Sequence, residues 1–113
     1  MSKATSKARA ASGAISEGYL ADFRRYLRIT STELDGEIKD LINAARDDLV
    51  LGGVLPDRAR NEEDALVKRA ISTYVKAEFG LDNDDADKYR AAYQKQKIAL
   101  SLASGYIGGG EGV

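Results

Sequence analysis

Oxygen-bearing side chains crowd the stretch Asp82-Asn83-Asp84-Asp85-Ala86-Asp87, and a calcium loop is the first chemistry they suggest. An EF-hand loop needs an oxygen ligand at its fifth position, Gly at its sixth for the sharp turn and a bidentate Glu at its twelfth. Counted from Asp82, those positions hold Ala86, Asp87 and Tyr93. The spacing fails, and a turn leading into a helix cap is the expected role. Gly108-Gly109-Gly110-Glu111-Gly112 has the composition of a phosphate-cradling loop but lacks a strand before it and a helix after it. The carboxylate pairs Asp47-Asp48 and Glu62-Glu63 diverge by about 100° on a helix, so they cannot converge on one substrate bond.

The residue inventory points the same way. The 113 residues include no Cys and no His, which removes disulfides, a thiol nucleophile, the usual zinc ligand sets and an imidazole acid or base. Ser and Thr are plentiful, yet no motif places a base beside any of them. No cofactor, metal or catalytic residue is expected, and the chain is not expected to be an enzyme.

Composition allows one small domain, 43% apolar and 31% charged, with a single modest core. No apolar run approaches the roughly 18 residues of a membrane span, and the N-terminus lacks the apolar stretch of a signal peptide. A non-membrane, intracellular protein is expected. The net charge of -1 is unevenly distributed. Residues 1–28 carry six basic and two acidic side chains, residues 29–64 four and ten, and residues 65–113 seven and six. Such segregation suits copies or partners that meet through oppositely charged faces, or simply a solvated acidic helix.

Periodicity supplies the elements. Residues 1–14 have almost nothing to bury and read as a flexible arm. Ser16 can cap a first helix that places Tyr19, Leu20, Phe23, Tyr26 and Leu27 on one face. Thr30-Ser31-Thr32-Glu33 has the form of a capping box, which predicts that a second helix starts there. Its stripe is Leu34, Ile38, Leu41, Ile42, Ala45 and Leu49, and Gly52-Gly53 ends it. The stretch 52–61, with the only Pro, reads as a loop. Three carboxylates at 62–64 open a third helix with an apolar face of Leu66, Val67, Ala70, Ile71, Tyr74, Val75 and Phe79, stopped by Gly80. A fourth helix aligns Ala86, Tyr89, Tyr93, Gln96 and Leu100.

That fourth helix is apolar on a second side as well, through Ala91, Ile98 and Leu102. A bundle of four short helices covers only one side, so these three residues are candidates for a subunit interface. In the Gly-rich stretch 105–113, Tyr106 and Ile107 are either partner anchors or an extension of the fourth helix. The fold class expected is all-α: a small bundle of about four helices over 15–104, with flexible N- and C-terminal segments. A DNA-reading module is disfavoured, because Lys88, Arg90, Gln94, Lys95, Gln96 and Lys97 circle the fourth helix instead of forming one stripe.

The blocks YLRIT, Glu33-Leu34-Asp35, EIKDLINAARDDLVLGGV, DALVKRAISTYVKAEFG and DKYRAAYQKQKIALSLASGY span about residues 19–106. Most specific are the Ala45-Arg46 pair, the run Ala70-Ile71, Tyr74-Val75, Phe79-Gly80, and the series Tyr89, Tyr93, Lys97 with a terminal Tyr106. In this order the chain resembles the α-helical head-tail connector (adaptor, or head-completion) proteins of long-tailed bacteriophages. The resemblance implies a non-catalytic virion protein that assembles in the host cytoplasm as a homo-oligomeric ring of about a dozen copies. Such a ring docks on the portal protein, lets double-stranded DNA pass non-specifically and carries the next neck or tail-completion protein. It also implies a portal contact at Tyr106 and Ile107, and a channel wall or neighbour contact on the acidic surface of 33–64. The arm at 1–14 and the Gly-rich end are not part of that pattern. A helical interaction module outside phages and a weak nucleic-acid binder are the competing readings.

Overall fold

A computed structural model describes residues 14–80, 83–103 and 105–107; all but the last residue of the expected N-terminal arm, and the stretch 108–113, lie outside the described residues. The order is α1 (Glu17–Tyr26), α2 (Asp35–Leu51), α3 (Pro56–Ala59), α4 (Ala65–Glu78) and α5 (Ala86–Leu102). Four helices of ten residues or more and one single turn make the bundle all-α, as expected. The described residues contain one isolated antiparallel bridge, Val54 to Ile107, and no strand.

Local chemistry sets most boundaries. The Ser16 hydroxyl accepts from the Tyr19 amide at 3.2 Å and caps α1. Asp64 caps α4 by accepting from the Val67 amide at 3.0 Å. At the end of α2, Val54 N–H donates to the Leu49 carbonyl and Gly53 N–H to that of Val50, with Gly53 at φ +111°. This is the paired hydrogen-bond pattern that a left-handed residue allows at a helix end, and Val54 tucks under Leu49, both fully buried. The same pattern ends α1, where Ile29 N–H reaches the Arg24 carbonyl and Arg28 N–H that of Arg25. There the left-handed position is held by Arg28 at φ +62°, a conformation that opposes a side chain.

Three sequence expectations need correction. The second helix starts at Asp35, after the proposed capping box. The Glu33 amide is taken by the Ser31 hydroxyl at 3.0 Å, and Asp35 is gripped by Arg24 of α1 through bonds of 2.8 and 3.1 Å, so the chain turns before it coils. The loop at 52–61 contains the turn α3, because Pro56 is preset for a first helical position. Leu66, placed on the apolar face of the third helix, is 56% exposed on the flank of α4.

The core lies between α2 and α4. Ile38, Ile42, Ala45 and Leu49 face Val67, Ala70, Ile71 and Val75, all fully buried. Tyr19, Leu20 and Phe23 of α1 close one side, and Tyr93 and Leu100 of α5 close another.

Candidate interaction surfaces

The ionisable clusters come first, since any catalysis would use them. Arg46 is 1% exposed, with its guanidinium 3.8 Å from Glu62, 3.4 Å from the Ala14 carbonyl and 5.7 Å over the Tyr19 ring. Glu62 also accepts from Ser16, at 2.8 Å from the amide and 2.6 Å from the hydroxyl. Burial lowers the Arg46 pKa, and burial pushes the Tyr19 hydroxyl up to about 12. The cluster joins α1, α2 and the entry to α4.

A second cluster lies where α5 crosses α2 and α4. The Tyr93 hydroxyl donates to Asp48 at 2.6 Å and Lys97 donates to the same oxygen at 3.0 Å. Burial works to raise the Asp48 pKa, but the bonds from Tyr93 and Lys97 outweigh it and hold the carboxyl below its usual range. Burial, then the bond to Asp48, raises the Tyr93 pKa. With Tyr74, Glu78 and Arg90 these residues line a cleft of about 170 Å³. Asp48 stays ionised and paired while Tyr93 stays protonated, so neither group is poised for proton transfer near neutral pH. The arrangement fastens helices. Among the described residues no group of three or more carboxylates, His or Cys could hold a metal ion. Of the calcium-like stretch, Asn83 accepts from the Asp85 amide at 3.1 Å and donates to the Lys76 carbonyl at 2.6 Å, so it ties the start of α5 to α4.

The residues expected to meet partners are placed as follows. Ala91, Ile98 and Leu102 share the outward stripe of α5, with Ile98 55% and Leu102 76% exposed. Lys97 of the same helix lies against Gly52, so these last turns run beside the end of α2, where Leu51 is 85% exposed. Tyr106 and Ile107 do not extend α5, which stops at Leu102. They sit half-buried against the chain's own body. The Tyr106 carbonyl accepts from the Leu55 amide at 2.6 Å, Arg58 lies 5.1 Å over the ring, and the Asp64 carboxylate beside the Tyr106 hydroxyl holds the pKa of that hydroxyl above its ordinary value. Arg58 also donates to the Gly105 carbonyl at 3.0 Å.

Two charged surfaces flank the bundle: an acidic one that lies within the surface expected over 33–64, and a basic one that escaped the sequence reading. On α2 the side opposite the core carries Glu37, Asp40 and Asp47 and ends at Leu51. Between α1 and α4 an open groove of about 290 Å³ is lined by Tyr26, Ala65, Lys68, Arg69 and Ser72. Lys68 is paired with Asp22 and lies 5.2 Å over Tyr19, while Lys76, one turn beyond Ser72, lies 5.9 Å over both Tyr26 and Tyr89. The seven-residue spacing of Arg69 and Lys76 was the available signal.

No helix of the described residues is long and apolar enough to cross a membrane. No curated protein matches the chain, and no solved structure does. A family model described as phage connector protein matches residues 19–107, a span that takes in all five helices but the first two residues of α1, together with the docked Tyr106 and Ile107. A chain with fastened ionisable groups and an outward apolar stripe, matched over most of its length, belongs to the phage connector protein family.

Proposed function

We propose that the chain is a structural subunit of a head-tail connector ring, which docks on the portal vertex, continues the DNA channel and offers a platform to the next neck protein. Membership of the connector family supports a role among phage head and tail proteins, as a virion component. The observation that carries the finer reading is the outward side of α5. Its inner side is spent on the bundle through Tyr93 and Leu100, yet Ile98 and Leu102 remain 55% and 76% exposed on the other. A lone monomer gains nothing from that stripe, whereas burial against a second copy stabilises by about 25 cal/mol per Å² of apolar surface.

In this reading Ala91, Ile98 and Leu102 lie in the subunit interface. Tyr106 and Ile107 contribute to the portal contact from a position already ordered by Leu55 and Arg58, so little ordering entropy is lost on docking. The test is to mix the chain with purified portal rings of the same virus and image the product by electron microscopy. A ring of connector density is expected on the portal with the wild-type chain and none with I98D/L102D, which keeps the wild-type unfolding midpoint. Portal rings that capture no wild-type chain would overturn the proposal.

A further inference from the structure

The two charged surfaces point in opposite directions. Helices α2 and α4 pack through Ile38, Ile42 and Leu49 against Val67, Ile71 and Val75, so the far side of each faces away from the other. The far side of α2 is acidic and that of α4 is basic. Among the described residues no cation pairs with Glu37 or Asp40, and Asp47 has only Arg60 at 3.5 Å. Arg69 and Lys76 have no ion pair among the described residues either. Around the basic groove, Asp22 is the one carboxylate that answers Arg25 and Lys68.

The spacings agree as well as the signs. Asp40 and Asp47 are seven residues apart on α2, and Arg69 and Lys76 are seven apart on α4, about 10.5 Å of helix axis in each case. A helix presenting the first pair can therefore meet both members of the second at once. We infer that the acidic outer stripe of α2 in one copy seats in the basic α1/α4 groove of the next copy, with Asp40 and Asp47 opposite Arg69 and Lys76 and Tyr26 on the groove wall. The contact joins unlike faces on opposite sides of the body, so it repeats head to tail, and it forms a ring where the rotation between copies closes. It rests on the ring reading above and adds the element that orients neighbours. The apolar stripe of α5 is not directional, whereas paired charges reject wrong registers.

The test uses two charge reversals. D40K/D47K makes the stripe and groove of one protein both basic, and R69E/K76E makes both acidic. Self-association of the full chain is followed by sedimentation and native mass spectrometry at low salt. The wild type is expected to associate and to dissociate as salt rises. Each variant alone is expected to associate more than about tenfold more weakly. An equimolar mixture of the two is expected to recover association, because both possible contacts in the mixture join opposite signs. Circular dichroism checks that each variant keeps its helices. As a second measurement, D40C and either R69C or K76C in separate copies should form a disulfide-linked pair under mild oxidation, in a chain otherwise without Cys.

Association that survives in both variants would overturn the inference while leaving the portal-docking result untouched. So would a failure of wild type and mixture alike to associate. Loss of duplex DNA binding by R69E/K76E, with association unchanged, would assign the groove to phosphates and also overturn it. Failure of portal rings to capture the wild-type chain is the separate outcome that defeats the ring reading itself.

Discussion

Helices α4 and α5 lie side by side, yet they are used differently. α4 buries five of its 14 residues, Val67, Ala70, Ile71, Val75 and Ala77. α5 is longer at 17 residues and buries two, Tyr93 and Leu100. One helix is the inside of the fold, and the other is fastened to it by a few strong points. α5 compensates for its shallow burial with polar clamps: Tyr93 and Lys97 on Asp48, and Arg90 on Glu78 at 2.9 Å. Ile98 and Leu102 on its outward side, 55% and 76% exposed, therefore add little to the stability of the single chain. In the proposed ring they are the surface that meets a second copy.

The sharpest way to break this contrast is truncation on each side. Ile42→Ala removes a fully buried side chain from the α2/α4 seam and should cost about 2–5 kcal/mol in urea unfolding. Leu102→Ala, at 76% exposure, should stay within about 0.5 kcal/mol while weakening assembly. Equal losses at both sites would erase the distinction between the helices.

Tyr93→Phe probes the clamp with less force. Loss of the hydroxyl leaves Asp48 with Lys97 alone and should cost about 1 kcal/mol near neutral pH. The pH dependence follows from the direction of each shift. Asp48, Asp22 and Asp35 have lowered pKa values when folded, so their contribution is full above the ordinary value of 3.8 and is lost as pH falls below it. Tyr19 is raised from 10.0 to about 12, so its contribution is present below pH 10 and is lost as pH climbs towards 12. Thermal melts should show a plateau between these limits, and Tyr93→Phe should flatten both edges. A midpoint indifferent to pH at both extremes would contradict the assignment.

The smallest effect expected is a gain. Arg28→Gly relieves a left-handed residue at the end of α1, and the relief of roughly 1–2 kcal/mol is partly offset by the freer unfolded chain. A net rise of about 0.5 kcal/mol should appear in denaturant midpoints, with no change in assembly.

How much of this could be read without coordinates depended on how local the cause was. Ser16, Gly53 and Gly80 mark helix ends through their own backbone and hydroxyl chemistry, and the bundle follows from them. The start of α2 could not be read from its own residues, because it is set by Arg24 from another helix. Arg46 stands four residues after Ile42 on the buried side of α2, so its position argued for the interior while its charge argued against it. Only the meeting with Glu62, Tyr19 and Ala14 resolves that conflict. The outward stripe of Ala91, Ile98 and Leu102 was legible because it is pure periodicity. Tyr106 was legible as an unusual residue in a Gly-rich stretch, but its partners Leu55 and Arg58 lie about fifty residues away and leave no mark nearby.

Asp64 holds two attachments at once, the Val67 amide and Arg58 at 3.8 Å, and Arg58 in turn donates to the Gly105 carbonyl. Tension applied at Ile107 would therefore reach the first turn of α4 through Arg58 and Asp64. Such a pull would loosen the cap of a core helix, and amide exchange at Val67 would act as the gauge of that load.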